Sequence, residues 1–145
     1  MRSIPTNFKV IGVFGLLPFL IGIIGTLNFQ LLPDFFNNWL INLSLLYAGL
    51  ILSFLGGCVF AFESLELEKP YLKRLVFSIL PTLWALSALQ LEHFKAGALA
   101  IGFLALYELD RKIARRKITP EWWLSLRLPL TTTVIISLAI IGFNA

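Results

Sequence analysis

Residues 35–62 read FFNNWLINLSLLYAGLILSFLGGCVFAF, a stretch that contains no charged side chain. A helix needs about 20 predominantly apolar residues to cross about 30 Å of hydrocarbon, and this stretch exceeds that length. On either side of this stretch, residues 10–33 and 128–145 also contain no charged side chain and approach or exceed the same length. These runs predict a fold of helices that lie in a membrane.

The composition supports the same prediction. Of the 145 residues, 58% are hydrophobic and 14% are charged, whereas a soluble domain carries about 25% charged residues. The mean hydropathy is +0.85. The net charge of +4 falls beside the apolar runs, which favours anionic lipid headgroups over nucleic acid as the partner. The length indicates one transmembrane domain, residues 1–145.

Two shorter uncharged runs, residues 75–91 and 96–107, decide how often the chain crosses. If both cross, ten of the twelve Lys and Arg residues lie on one side, Lys95 lies on the other, and Arg127 lies inside the last span. If residues 96–107 do not cross, this bias disappears. Because cytoplasmic segments carry the excess of Lys and Arg, five crossings are predicted, with a cytoplasmic N-terminus and an exoplasmic C-terminus. The ten are Arg2, Lys9, Lys69, Lys73, Arg74, Arg111, Lys112, Arg115, Arg116 and Lys117.

The predicted fold is therefore an all-α bundle of five transmembrane helices. Pro18 interrupts the first run and removes the helix hydrogen bond to the carbonyl of Phe14, so a kink is expected there. Trp122 and Trp123, at the start of the last span, are predicted interface anchors. The spans are placed at about residues 10–32, 38–62, 74–91, 94–111 and 120–144.

Small residues share one face of each of the first two spans when successive residues are set about 100° apart. In lipid, such residues mark the faces where helix backbones approach each other. We expect span one to pack on span two through these faces, with a narrow polar crevice as the alternative. The candidate packing residues are Gly12, Gly15, Gly22 and Gly25 in span one and Gly49, Ser53, Gly56 and Gly57 in span two.

Arg127 is the one basic residue that orientation does not explain. An ionised Arg costs at least about 2.5 kcal/mol near the bilayer centre and less towards the interface. Glu63, at the end of span two, lies at a similar depth on the small-residue face. We hypothesise an Arg127–Glu63 pair that holds span five against span two. The alternatives are snorkelling of Arg127 to lipid phosphate and a substrate site.

The sequence contains no catalytic, metal-binding or cofactor-binding signature. The single cysteine, Cys58, and the single histidine, His93, lie on different segments and cannot by themselves form a metal site. Trp84 lies in the middle of a span, where its indole N–H needs a partner. We expect it to be wedged against another helix, with stacking on a quinone or pigment as the alternative.

The basic residues after span four form a cluster at the predicted cytoplasmic surface. Such a cluster favours anionic lipid headgroups. Other membrane subunits are further expected partners, and nucleic acid is not. The cluster is Arg111, Lys112, Arg115, Arg116 and Lys117.

Several short stretches resemble an uncharacterised family, the domain-of-unknown-function family numbered 3429, which includes animal transmembrane protein 69. The resemblance covers nearly the whole chain and implies a multi-span bacterial or mitochondrial inner-membrane protein of unassigned function. The chain departs from the family pattern at Val59, Phe60 and Ala61, where a polar residue, Trp and Gly are typical. The stretches are Gly15–Phe19, Tyr47, Ile51–Gly57, Pro81, Trp84, Leu109-Asp110-Arg111, Trp122-Trp123-Leu124, Leu126-Arg127 and Pro129-Leu130-Thr131.

The absence of chemistry-bearing clusters and the small extramembrane mass favour a non-enzymatic role. The leading expectation is a structural, assembly or accessory subunit of a larger inner-membrane complex. One alternative is a transporter or channel component with a cytoplasm-facing polar crevice near Glu63 and Arg127. The other is a binder of lipid, quinone or pigment.

Overall fold

A computed structural model describes residues 3–27, 32–65 and 71–144. These residues form helices and their connections and contain no strand, which confirms the all-α prediction. The helices are α1 (Thr6–Phe14), α2 (Leu17–Thr26), α3 (Asp34–Leu65), α4 (Leu72–Leu89), α5 (Lys95–Arg115) and α6 (Trp123–Asn144).

Within the described residues, four helical stretches are long and apolar enough to cross a membrane. They are α1 with α2 as one stretch (Thr6–Thr26), α3, α4 and α6. The helix α5 is 21 residues long, but it is not among these four because it carries more charged residues. These are Lys95, Glu108, Asp110, Arg111, Lys112 and Arg115.

The first stretch breaks between α1 and α2, as Pro18 predicts. α1 ends at Phe14 and α2 begins at Leu17. The N–H of Gly15 still bonds the carbonyl of Ile11 at 2.9 Å, but the N–H of Leu16 bonds the carbonyl of Val13 at 3.0 Å, a tighter turn. Because Pro18 has no N–H, the carbonyl of Phe14 lacks the donor that it would bond in a regular helix. α1 and α2 are therefore two helices separated by a short turn at Gly15 and Leu16.

One end of the bundle collects the N-terminal ends of α1, α4 and α6 and the C-terminal ends of α3 and α5. The rings of Phe8 and Trp122 lie 4.6 Å apart there, and those of Phe62 and Trp123 lie 5.1 Å apart. Helical stretches that follow one another in the sequence thus run in alternating directions, whereas α3 and α5, which also pack together, run in the same direction. The described basic residues that charge arithmetic assigned to one side lie on these helix ends; Arg2 and Lys69 fall outside the described residues.

α3 is the central helix and packs on α2, α4 and α5, while α6 packs on α5, α2 and α1. Leu52, Leu99 and Leu106 are fully buried between them. Many large apolar side chains face outward, among them Phe54 at 64% and Leu86 at 60% exposure. A protein in water rarely exposes contiguous apolar surface of this kind, so the outer face suits lipid.

The small residues of span one lie close to two neighbouring helices. A Cβ at Gly22 would overlap the side chain of Ser44, and a Cβ at Gly25 would lie 2.9 Å from the carbonyl oxygen of Asn37. Gly12 instead faces Leu130 of α6, at 3.0 Å. Gly22 and Gly25 therefore carry the expected close approach of span one to α3.

The small residues of α3 turn mostly to a different helix from the one expected. A Cβ at Gly49 would lie 2.7 Å from Leu89 Cδ1, and one at Gly56 would lie 3.0 Å from the carbonyl oxygen of Ser78. Both neighbours belong to α4. A Cβ at Gly57 would meet nothing within 4 Å. Small side chains mark where backbones approach, but they do not identify the approaching helix.

Candidate functional site: buried ion pairs and an apolar cavity

Arg127 is buried one turn into α6, with 4% exposure. Its Nε donates a hydrogen bond to Oδ2 of Asp110 at 2.9 Å. Trp123 lies four residues earlier on the same helix face, and its Nε1 donates to Oδ1 of Asp110 at 3.0 Å. Both carboxylate oxygens of Asp110, itself 1% exposed, are therefore engaged by α6.

The predicted Arg127–Glu63 pair is wrong, since each residue has another partner. Arg116 Nη1 donates to Glu63 Oε2 at 3.0 Å, and Arg116 Nη2 donates to Glu63 Oε1. The physical reason lies in α5, which was expected to end at Arg111 but stays helical to Arg115. The extra turn brings Arg116 to Glu63 at the end of α3. Asp110, which lies inside the predicted span, faces Arg127 because α5 packs on α6.

Arg127 keeps one group that the ion pair does not use. Among the described residues, its Nη2 has no hydrogen-bond partner, and neither does Oγ1 of Thr131, one turn further along α6. Both atoms are buried. A buried donor left without an acceptor costs about 1–3 kcal/mol, so this pair of polar groups calls for an explanation.

Arg127 and Thr131 both line a cavity of about 450 Å³, called here the arginine cavity. Its other walls are mainly apolar and aromatic, from α1, α2, α3, α5 and α6. They include Ile11, Phe19, Tyr47, Phe54, Cys58 and Phe103. A mostly apolar cavity with a few convergent polar groups is the usual form of a small-molecule site.

The break between α1 and α2 accounts for this space. α2 packs closely on α3, but α1 makes its main contacts with α6. No residue of α1 is buried. On the N-terminal side of Gly15, α1 therefore lies away from α3, and a gap remains between α1, α3 and α6. Arg127 and Thr131 face that gap.

Glu63 lines a separate, smaller cavity of about 210 Å³, together with Arg74, Lys112 and Arg116. Neither Arg127 nor Asp110 lines it. The crevice near Glu63 and Arg127 that the sequence suggested is thus divided into two places, so the transport alternative loses its shared polar path among the described residues.

Trp84 is wedged against α5, the first of its two expected roles. Its Nε1 donates to the carbonyl oxygen of Ala98 at 2.7 Å. Gly102 makes this possible, because a Cβ there would lie 2.7 Å from Trp84 Cδ1. The outer face of the indole remains 44% exposed, beside a groove between α4 and α5.

A known protein family matches almost the whole chain. The family described as "Protein of unknown function (DUF3429)" matches residues 4–143. The chain belongs to this family. The match confirms the resemblance noted in the sequence, and the apolar helices agree with a membrane protein. No curated protein and no solved structure matches the chain.

Three of the stretches that link the chain to the DUF3429 family meet at the ion pair. One contains Asp110, and the other two residues of the cluster, Trp123 and Arg127, follow Pro120. Sequence reasoning missed Asp110 because Glu63 was chosen as the partner of Arg127, although the predicted span four, residues 94–111, already included Asp110. A signal was present: Asp110 continues the buried face of α5 at helical spacing, after Leu99, Phe103 and Leu106.

The two anchor tryptophans occupy different settings. Trp122 stacks on Phe8 of α1, whereas Trp123 packs edge-on against Phe62 of α3 and bonds Asp110. Trp123 therefore joins three helices. Within residues 3–27, 32–65 and 71–144, no three His, Cys, Asp or Glu side chains are grouped so that they could hold a metal ion.

Proposed function

We propose that the chain crosses the membrane five times, with its N-terminus in the cytoplasm and its C-terminus outside, in a bacterial inner membrane. The length of α5 supports a fifth crossing, because 21 residues at about 1.5 Å each span about 30 Å. α5 also packs against α3, α4 and α6, so it lies within the bundle.

The charges of α5 are compatible with that position because several are neutralised by partners. Asp110 pairs with Arg127, and Glu108 pairs with Arg111 at 2.7 Å. Twelve uncharged residues, 96–107, remain between Lys95 and this charged end. Lys95 and the last turn of α5 lie at opposite ends of the helix, where long basic side chains reach the headgroups.

For function, we propose that the protein binds a lipophilic molecule in the arginine cavity and that it has no catalytic role. The observation that carries this proposal is the pair of buried atoms, Arg127 Nη2 and Thr131 Oγ1, which face an apolar cavity without a partner among the described residues. A ligand with a hydrogen-bond acceptor would satisfy both groups, and its apolar body would fill the space.

The ion pair indicates which acceptor fits. Asp110 already neutralises the guanidinium of Arg127. An anionic ligand would leave one uncompensated negative charge in an apolar cavity, which is costly. A neutral carbonyl accepts the free N–H at no such cost. The favoured ligand therefore carries an ester or quinone carbonyl on an apolar body.

Protection of Cys58 tests this proposal, because it is the only cysteine of the chain and lines the cavity. The rate of its alkylation by N-ethylmaleimide is measured in detergent with three probes of one chain length: methyl palmitate, palmitate and hexadecane. We expect protection by the neutral ester at the lowest concentration. Extraction and mass spectrometry of the purified protein would identify any molecule retained from the cell.

Two variants sharpen the result. Thr131→Val keeps the shape but removes the hydroxyl, and it should weaken protection by methyl palmitate about fivefold, the effect of one hydrogen bond of about 1 kcal/mol. Thr132→Val is the control, because Thr132 is exposed and its hydroxyl bonds the carbonyl of Leu128. Equal protection by hexadecane, or none by any probe together with an empty extract, would contradict the proposal.

A role as an accessory subunit of a larger membrane complex is the second candidate. One observation favours it: α1 has no buried residue and exposes Ile11 at 70% and Val13 at 63%. A partner helix could cover this surface. Purification in mild detergent followed by mass spectrometry distinguishes the two, since a stoichiometric protein partner supports this candidate and a partner-free protein counts against it.

A further inference from the structure

A groove of about 530 Å³ runs along the outer face between α4 and α5. Its walls are almost entirely apolar, from Phe77, Leu80 and Trp84 on α4 and from Ile101, Ala105 and Leu109 on α5. The hydrogen bond between Trp84 and Ala98 fixes the two helices on either side of it. The groove is therefore a formed feature of the surface.

The groove ends at a cluster of cations. Phe77 and Leu109 line both this groove and the smaller cavity that contains Glu63, so the two spaces adjoin. The walls of that cavity carry Arg74 from α4 and Lys112 and Arg116 from α5. Among the described residues that line this cavity, three are basic and one, Glu63, is acidic, so this lining carries a net charge of +2.

The apolar part and the charged part follow one another along the helix axis. The cations lie in the first turn of α4 and at the end of α5, where the predicted cytoplasmic headgroups begin. α4 carries Lys73 and Arg74 but no acid in its first turn. The positive end of a helix dipole attracts anions, so the dipole of α4 and the basic side chains of its first turn attract an anion to the same place.

We propose that this place is a specific site for one anionic phospholipid, with an acyl chain in the α4–α5 groove and the phosphate on the cluster of Arg74, Lys112 and Arg116. The charge of the cluster selects the anionic headgroup, and the adjoining groove requires an acyl chain. A soluble phosphate would leave the groove empty. The site is distinct from the arginine cavity, so either one can fail without the other.

Lys112 and Lys117 belong to one basic segment, but only a specific lipid site would distinguish them. General attraction of the basic cluster to an anionic surface would treat Lys112 and Lys117 alike. Only Lys112 lines the cavity, whereas Lys117 follows the end of α5 in a left-handed conformation with φ 60° and does not line it. Lys117→Gln removes the same charge and is the matched control.

Native mass spectrometry of the full chain, released from micelles with dioleoyl phosphatidylglycerol or dioleoyl phosphatidylcholine, measures the retained lipid. We expect one phosphatidylglycerol to be retained by the natural sequence. Arg74→Gln and Lys112→Gln should each weaken its binding about fivefold, since a Lys or Arg near an anionic headgroup contributes about 1 kcal/mol. Lys117→Gln should leave the binding unchanged.

The acyl chain is tested from the other end of the groove. Ala105→Phe fills the groove and should displace the lipid, whereas Ala139→Phe, on the exposed side of α6, should not. Equal retention of phosphatidylcholine, equal losses in Lys112→Gln and Lys117→Gln, or displacement of the lipid by millimolar inorganic phosphate would each overturn the proposal. Circular dichroism confirms that every variant keeps its helix content.

Discussion

Arg127 of α6 and Asp110 of α5 form a buried ion pair, with 2.9 Å between Nε and Oδ2. The pair joins two helices whose connection lies at the predicted cytoplasmic face. Burial of two charges is costly, and their attraction offsets this only where geometry and further hydrogen bonds are good. Trp123 supplies one such bond to Asp110. The three side chains therefore behave as one unit.

Asp110→Asn should destabilise the protein by about 3–5 kcal/mol, because it leaves the charge of Arg127 buried without compensation. Arg127→Met should cost a similar amount by stranding the carboxylate. The double variant, with Asp110→Leu, should recover much of the loss, since an apolar pair of similar volume removes both charges. Denaturant unfolding in detergent, followed by circular dichroism, measures these differences.

A second double-mutant cycle distinguishes this pair from the one that the sequence suggested. Arg127→Met and Glu63→Gln should couple by no more than about 0.5 kcal/mol, because Glu63 pairs with Arg116 and Arg127 pairs with Asp110, so the two residues share no ion-pair partner among the described residues. Strong coupling between positions 127 and 63, with none between 127 and 110, would restore the original hypothesis.

Gly22→Ala and Gly57→Ala form a matched pair that tests helix packing. A Cβ at position 22 would overlap Ser44 and would lie 2.9 Å from Ile141 Cδ1, whereas one at position 57 would meet nothing within 4 Å. We expect Gly22→Ala to lower the free energy of unfolding by about 1–3 kcal/mol through overpacking. Gly57→Ala should raise it by up to about 1 kcal/mol through helix propensity.

The measurement is the same unfolding experiment, with both variants in one detergent. If Gly57→Ala proves as damaging as Gly22→Ala, then the outer face of α3 is covered by something beyond the described residues, which would strengthen the accessory-subunit candidate. Equal neutrality of the two would instead contradict the close approach of α2 to α3.

Trp84→Phe should cost about 1 kcal/mol, because it removes the hydrogen bond to the carbonyl of Ala98 and keeps most of the apolar ring. Trp39→Phe is the control: Trp39 is half exposed on α3, and a surface change of this kind stays within about 0.5 kcal/mol. Thermal unfolding in detergent measures both. A loss of a bound molecule in Trp84→Phe, without a loss of stability, would favour the ligand-stacking alternative.

The sequence predicts the helices of this protein better than it predicts where they end and which helices pack together. Long uncharged runs identify membrane helices because hydrocarbon thickness sets their length. The ends are less certain, because a helix continues through charged residues that have partners. α3 extends to Leu65, past Glu63, and α5 extends to Arg115, past Asp110. The extension of α3 contains Glu63, and the extension of α5 brings Arg116 to it.

The partners themselves depend on tertiary packing. Arg127 needs an acid at its depth, and Glu63 met that condition on the sequence alone. Asp110 lay in the predicted span four, but only the packing of α5 on α6 shows that it faces Arg127. Likewise, glycines at helical spacing on α3 indicated a close approach, but the helix that fills the space at Gly49 and Gly56 is α4.

Pro18→Ala tests how the arginine cavity arises. The change returns an N–H that can bond the carbonyl of Phe14 and removes the ring that blocks a continuous helix. We expect α1 and α2 to straighten into one helix, so that α1 moves towards α3 and the cavity shrinks. Alkylation of Cys58, which lines that cavity, should then become slower, and methyl palmitate should no longer protect it.

Pro129→Ala is the control, because Pro129 lies inside a continuous α6 and is exposed. In this variant, the alkylation rate of Cys58 should match that of the natural sequence. If Pro18→Ala reacts as fast as the natural sequence and still binds the ester, the direction of α1 is set by its packing on α6 rather than by the missing hydrogen bond.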